Sequence, residues 1–218
     1  MSATVRSLVS VGGGLTRVTL AVPEDRRASY VHAGQYVEVV IDGARGFFAL
    51  AGPIGAPAWE LLVRASGGAS EALLATPPGE SVDVSLALGR GFPDDALAAE
   101  RLVVAVGGSA IAIAPPIVAR RAPGSTHLYV GVRTPADTPL LDELRAWRAA
   151  GFAVTLCASR DVDGDVGLPV ARAYVQDVIA RDRATIGAPA TVLVAGPDGL
   201  VAAVRALGGD DLSVYTNV

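Results

Sequence analysis

"RLVVAVGGSAIAIAPPIVAR", Arg101 to Arg120, is the stretch whose reading decides the fold. Leu102 to Val106 is an unbroken apolar run, the pattern of a strand buried on both faces. Gly107, Gly108 and Ser109 make a turn, and a helix pattern follows from about Ala114. A strand, a glycine turn and a helix together present backbone N–H groups to a phosphate. The eighteen residues between the two arginines carry no charge, close to the length of a membrane span. The glycine pair and Pro115-Pro116 rule out one continuous helix, so the stretch reads as the core of a soluble domain with no membrane span.

Working outward, the residues before this unit read as all-β and those after it alternate strand and helix. Upstream, "TVRSLVSV" and "LTRVTLAV" flank Gly12-Gly13-Gly14 as a hairpin. Further strands are expected at "QYVEVVI", "GFFALA", "WELLVRA" and "SVDVSLAL". Six short strands between Gly and Pro turns predict a small antiparallel β-barrel. One helical piece, Ala69 to Thr76, interrupts them, with Ser70 placed to cap it or to bind at its start. "GRGFPDDALAAE", Gly89 to Glu100, is the expected connection.

Downstream, five strands are expected: Leu102–Val106, His127–Val132, Ala153–Ala158, Thr191–Ala195 and Leu212–Thr216. Helix patterns lie between most of them. One places Leu140, Leu141, Leu144 and Trp147 on a single face and stops at Gly151. Alternating βα units with right-handed crossovers predict a five-stranded parallel sheet of the Rossmann type, with helices on both faces. The chain is thus expected to divide into a barrel, residues 1–97, and an α/β unit, residues 98–218. In the half-Rossmann order the first and fourth strands are neighbours, and ligands bind beyond their carboxyl ends. Those ends are Gly107-Gly108-Ser109 and Ala195-Gly196-Pro197, both built of small residues that permit close approach.

Composition narrows the function. The chain has 218 residues, 18% of them charged, and half are hydrophobic, enough for two cores. All 18 basic residues are arginine, which a GC-rich coding bias explains. A net charge of −4 argues against a general nucleic-acid partner. The single Cys157 excludes an internal disulfide, a four-cysteine iron–sulfur centre and a cysteine zinc site. His32 and His127 are too few and too far apart for a metal site, so none is expected. "MSATVRSLVS" lacks a hydrophobic signal core, and a cytoplasmic location is the default expectation.

Seven short motifs in one order resemble the ferredoxin–NADP reductase-like flavoproteins, over essentially the whole chain. "AGQYVEVVI" is similar to the family's "PGQFV" strand, and "GGASEALL" to its Gly-x-x-Ser turn, here Gly67 and Ser70. "PPGESVDVSLALGRGF" follows "PGDxVxVxGPxGxF". "VGVRT", which holds Arg133, then "CASR", "YVQD" and "AGPDGLV" complete the series. The resemblance implies a flavin-binding barrel followed by a pyridine-nucleotide domain. It implies FAD in preference to FMN, at Arg45, Phe47, Phe48, Ala49 and the turn Gly67, Gly68, Ala69, Ser70. A pyridine nucleotide would lie at Gly108, Ser109, Arg133, Gly196 and Pro197. In NADP-selective relatives a Ser-Arg pair and a basic-x-Tyr-x-Gln segment surround the 2′-phosphate. Ser159-Arg160 and Arg172, Tyr174 and Gln176 match both, so NADP(H) is expected, with NAD(H) the alternative; a solvated arginine and an ordinary helix start are the plainer reading of the same residues.

Three departures from the family pattern bear on activity. Its Arg-x-Tyr-Ser motif is replaced by "ARGFFALAGP", which in neither alignment supplies the serine near flavin N5. The pyrophosphate loop carries Ala110 or Ala112 where a glycine is expected, and a Cβ there would obstruct a phosphate. Ala195 stands where relatives often carry a cysteine, and Cys157, within a strand, is read as a small buried hydrophobe. No catalytic residue is assigned. Trp59 and Trp147 are read as core anchors, Tyr215 as buried at the last strand, His32 as a turn residue and Asp198 as a helix cap. The expected activity is NAD(P)H-dependent flavin oxidoreduction, with electrons passed to a separate carrier protein or small acceptor. The alternative is a degenerate, non-catalytic nucleotide-binding or complex-forming subunit.

Overall fold

The computed structural model describes residues 2–217. The first half is a six-stranded antiparallel sheet made of β1 (Ser2–Ser10), β2 (Leu15–Ala21), β3 (Tyr36–Ile41), β4 (Ala44–Ala49), β5 (Trp59–Arg64) and β6 (Ser81–Val84). Its strand order is β4-β3-β6-β1-β2-β5. An isolated bridge between Leu50 and Leu61, with Ala51 N–H donating to Glu60 O at 2.8 Å, joins the two ends into a barrel. Alternation places Val5, Val18, Leu20, Val37, Val39, Leu61 and Val63 inside, all at most 1% exposed. Two helices attend it: the four-residue α1 (Glu24–Arg27) and α2 (Ala69–Ala75).

The second half is a wholly parallel sheet of β7 (Leu102–Gly107), β8 (Thr126–Val132), β9 (Ala153–Ala158), β10 (Val170–Ala171), β11 (Ala190–Ala195) and β12 (Leu212–Thr216). Its order is β10-β9-β8-β7-β11-β12. The five expected strands are present in the expected arrangement, and β10 adds a sixth. Two residues pairing with Leu156 and Cys157 carry no periodicity that a sequence could display. Between and around the strands lie α3 (Asp94–Leu97), α4 (Ala114–Val118), α5 (Leu141–Ala149), α6 (Val175–Ile186) and α7 (Asp198–Arg205). Val104 and Val106 point to the α4 and α5 face, Val103 and Ala105 to the α6 and α7 face. The continuous apolar run is therefore needed because both faces are covered. Among the described residues no helix is long and apolar enough to cross a membrane.

The helix expected after the glycine turn is short. Gly108–Ile113 forms a 3₁₀ turn, and only five residues of α-helix follow. Ile111, Ala112 and Ile113 are buried in an apolar cluster that also contains Leu15, Ala33, Ala51 and Leu62 from the barrel. This turn is spent on joining the two halves, because its side chains are apolar and the barrel offers an apolar wall.

A second seam is formed where Gly34, Phe92 and the chain end meet. Phe92 is fully buried, and the side-chain N–H of Asn217 donates to Gly34 O at 3.2 Å. A Cβ on Gly34, whose φ is +91°, would lie 2.9 Å from the Phe92 ring. Gly34→Ala is expected to destabilise the protein by about 1–3 kcal/mol through left-handed strain and overpacking, read as a lower urea midpoint with an unchanged slope.

Candidate functional site

The carboxyl ends of β7 and β11 lie side by side, with Val106 opposite Ala195. A Cβ on Gly196 would fall 3.2 Å from Gly107 N and 2.9 Å from Leu200 Cδ2, so only glycine fits. Gly108, at φ +61°, has nothing within 4 Å of the place a Cβ would take. Open space therefore faces backbone at the point where strand order reverses, the position of ligand sites in such sheets.

A cleft of about 620 Å³ opens there. Of the residues assigned to the nucleotide, Gly108, Arg133, Ser159, Tyr174, Gln176 and Pro197 line it. Tyr174 precedes α6 and is 61% exposed, a large ring presented to the cleft. Ser159 N–H donates to Val132 O at 3.1 Å and Arg160 N–H to Arg133 O at 3.0 Å. These bonds set the two cation-bearing loop ends, of β8 and β9, beside each other. Arg160 and Arg172 are exposed and not among the lining residues, and neither are Ser109 and Gly196.

Of the two alanines that depart from the family's loop, Ala112 is placed away from the cleft, and Ala110 is partly buried against the same core. Ala112 is 1% exposed and turned into the core between the two halves, so its Cβ does not face the cleft. The backbone that does face it is Gly107 and Gly108.

The eight residues assigned to flavin lie on β4 and at the start of α2 in the barrel, and none lines this cleft. On β4, Val37 pairs with Phe48 and Glu38 with Phe47. Phe48 thus turns inward onto the barrel core, while Phe47 turns outward, 66% exposed, its ring edge-on to Tyr36 at 5.9 Å. By alternation Arg45 and Ala49 share the outer face with Phe47. Arg45 is paired with Glu38 at 3.0 Å on that exposed face. Neither phenylalanine plugs the cleft. Ala69 stands close to β4, since a Cβ on Gly46 would come within 3.0 Å of it.

Ser70 does not cap its helix. Gly68 takes the cap position, and the Ser70 hydroxyl donates to Gly67 O at 2.9 Å and accepts from Ser66 N–H at 3.1 Å. The hydroxyl closes the turn and leaves Gly67 (φ +86°) and Gly68 (φ +57°) with nothing within 4 Å of either Cβ position. Asp198 makes no cap hydrogen bond either; Pro197 occupies the cap of α7. Trp59 is buried in the barrel core, while Trp147 and Tyr215 are partly buried against the cluster that joins the halves.

Sequence reasoning missed the cleft's second wall. Arg64, at the end of β5, and Gly13, from the β1–β2 turn, line it from the barrel side, and Asp137 and Pro139 of the α/β half adjoin Gly13 there. No local signal marks them, because the wall exists only once the barrel docks. Cys157 also borders the cleft, although it is 1% exposed. Burial, then the nearby Asp182 carboxylate, pushes its thiol from 9.0 up to about 12. Burial and the same carboxylate, which accepts a hydrogen bond from Tyr129 OH at 3.1 Å, raise the Tyr129 phenol. Among the described residues no cluster suited to a metal ion is found.

No family model and no curated protein matches the sequence. Solved structures do match the fold. A cytochrome P450 reductase of Amycolatopsis superposes with a TM-score of 0.77 at 24% identity, over 99% of this chain and 69% of that one. A ferredoxin NADP+ reductase from Neisseria gonorrhoeae, with bound FAD and NADP, gives 0.76 at 14% identity over 100% and 98%. The flavohem-like FAD/NAD-binding domain of a Vibrio cholerae nitric oxide dioxygenase gives 0.75 at 17% over 99% and 98%. The chain has the two-domain fold of the ferredoxin–NADP+ reductase-like proteins.

A group kept neutral in the fold but ionised when unfolded weakens stability as pH rises from its unfolded to its folded value. For Cys157 that window runs from 9.0 to about 12. The urea midpoint is expected to fall as pH rises above 9.0 toward about 12, and to fall less in Cys157→Ala.

Proposed function

We propose that the chain is an NAD(P)H-dependent flavin oxidoreductase that passes electrons to a separate carrier protein or small acceptor. The observation that carries this reading is the open glycine backbone of Gly108, beside the Gly107–Gly196 contact, at the mouth of the interdomain cleft. The Neisseria structure, which holds FAD and NADP on the same fold, supports it. We take the barrel as residues 1–97 and the nucleotide unit as 98–218.

The residues fit both groups. Gly108 offers backbone to a pyrophosphate without a Cβ in the way, and Arg64 and Arg133 bring positive charge from opposite walls. Gly67 and Gly68 leave open backbone at the start of α2 for a second pyrophosphate, with Ala69 and Ser70 beside it. Phe47 presents a free aromatic face and Arg45 a cation on the same side of β4. The long phosphate-bearing tail this implies favours FAD over FMN. Ser159, Arg160, Arg172, Tyr174 and Gln176 supply hydroxyl, guanidinium and ring at the sheet edge, which suits a 2′-phosphate and so NADP(H) over NAD(H).

When bound, NADPH supplies two electrons and a proton as hydride, becoming NADP+, and the flavin accepts them at N5. The protein's part is to hold the two rings within reach of each other and to exclude water between them. With Phe48 turned inward and Ala49 outward, β4 would offer no side-chain hydroxyl to a bound flavin. The fold neighbours lend no support to the non-catalytic alternative.

The purified protein is expected to carry, or take up, FAD with a flavin visible spectrum. Anaerobic NADPH is expected to bleach it; a protein that refuses added FAD overturns the reading. Arg160→Ala is expected to raise KM for NADPH about tenfold or more, the worth of one charge-assisted bond. KM for NADH and the limiting rate should stay near wild type, in steady-state assays with an artificial acceptor.

A further inference from the structure

One contact between the halves has a construction unlike the apolar seam. The β1–β2 turn, Gly12-Gly13-Gly14, has positive φ at all three positions. It lies on the chain segment Asp137 to Leu140. A Cβ on Gly12 would fall 2.8 Å from Thr138 O, and one on Gly13 would fall 2.6 Å from Asp137 O. Neither neighbour is the end of a flexible side chain; both are backbone carbonyls. Thr138 itself is buried and held, its hydroxyl donating to Pro135 O at 2.7 Å.

The receiving segment is held out of its relaxed conformation. Leu140 is left-handed, at φ 54° and ψ 34°, and 1% exposed. A residue with a branched side chain stays there only when its surroundings over-determine it. Its N–H donates to Val11 O, in the turn, at 2.7 Å. Next along β2, Arg17 bonds Glu143 of α5 and, within the barrel, Glu60 at 3.4 Å. Backbone fit, a backbone hydrogen bond and an ion pair therefore converge on one place.

That place is also a wall of the cleft, which Gly13, Asp137 and Pro139 line. We propose that this turn is an interdomain clasp, and that Gly12, Gly13 and Leu140 are positioning residues that fix the cleft's width. The claim rests on the oxidoreductase reading, and extends it. Apart from Arg64, the nucleotide's contacts come from the α/β half, and the flavin's come from the barrel, so ring separation depends on how the halves are joined. A displacement near 1 Å lowers a transfer rate by about a hundredfold, while each half keeps its own binding contacts.

Gly12→Val tests the clasp, because Gly12 does not line the cleft and a Cβ there would fall 2.8 Å from Thr138 O, with Pro139 Cα at an ordinary contact distance of 3.8 Å. Gly124→Ala is the control: it too has positive φ, with open space around it, at the opposite end of the sheet. In cofactor-free protein, Gly12→Val is expected to speed hydrogen exchange at the Leu140 amide at least tenfold while Val103–Val106 keep their protection. In stopped flow it is expected to lower the limiting rate of flavin reduction by about 10- to 100-fold. The NADPH Kd should stay within about threefold, and Gly124→Ala should leave both within twofold. If Gly12→Val loses the β7 protection as well, Glu143→Gln carries the test. It changes no backbone, and a fall of about two- to fivefold in the limiting rate is expected for a half-exposed pair.

A Leu140 amide that opens with the limiting rate unchanged overturns the positioning role. A Leu140 amide that exchanges as fast in the wild type as in the variant shows there is no clasp. Wild-type protein that takes up no flavin overturns the oxidoreductase reading instead, and is seen before any variant is made.

Discussion

Two strand ends with no side chain between them are the constraint on which the rest depends. Gly107 and Gly196 approach so closely that a methyl group on either backbone would meet the other strand or Leu200. That contact brings β7 and β11 together at the point where the sheet's connections reverse direction. The crevice above it, the exposed ring of Tyr174 and the paired loops carrying Arg133 and Ser159 all take their places from it.

The two halves are joined by opposite means. The 3₁₀ turn after β7 buries Ile111, Ala112 and Ile113 against Leu15 and Leu62, a contact with no directional preference. The Gly12–Gly14 turn is joined by backbone hydrogen bonding and shape, which specify one arrangement. Area supplies adhesion and the turn supplies register. A binding crevice between domains needs both, because adhesion alone permits sliding.

Much of this was legible in the residues. Val103 to Val106 could only be a doubly covered strand, and the alternation of β and α patterns after it left one sheet topology. Gly196-Pro197 and Gly107-Gly108 were predicted to meet, and they do. What stayed hidden has a common cause: it depends on partners distant in sequence. Arg17 and Glu143 are 126 positions apart, and three successive glycines announce a turn but not what rests on it. Arg64 ends an ordinary strand, and only docking of the barrel makes it a wall. Ser70 carried a sound helix-start signal, yet a neighbouring carbonyl, Gly67 O, satisfied the hydroxyl first. The 3₁₀ turn escaped notice because alternating Ala and Ile suits strand, helix and turn alike.

The sole thiol of the chain, on Cys157, sits in a dry wall next to a carboxylate. The thiolate, not the thiol, attacks peroxide, so a thiol held protonated by burial is slow to take the first rung of cysteine oxidation, the sulfenic acid. The chain's one thiol is thereby kept from ready oxidation and from crosslinking to a second copy, although it borders the cleft.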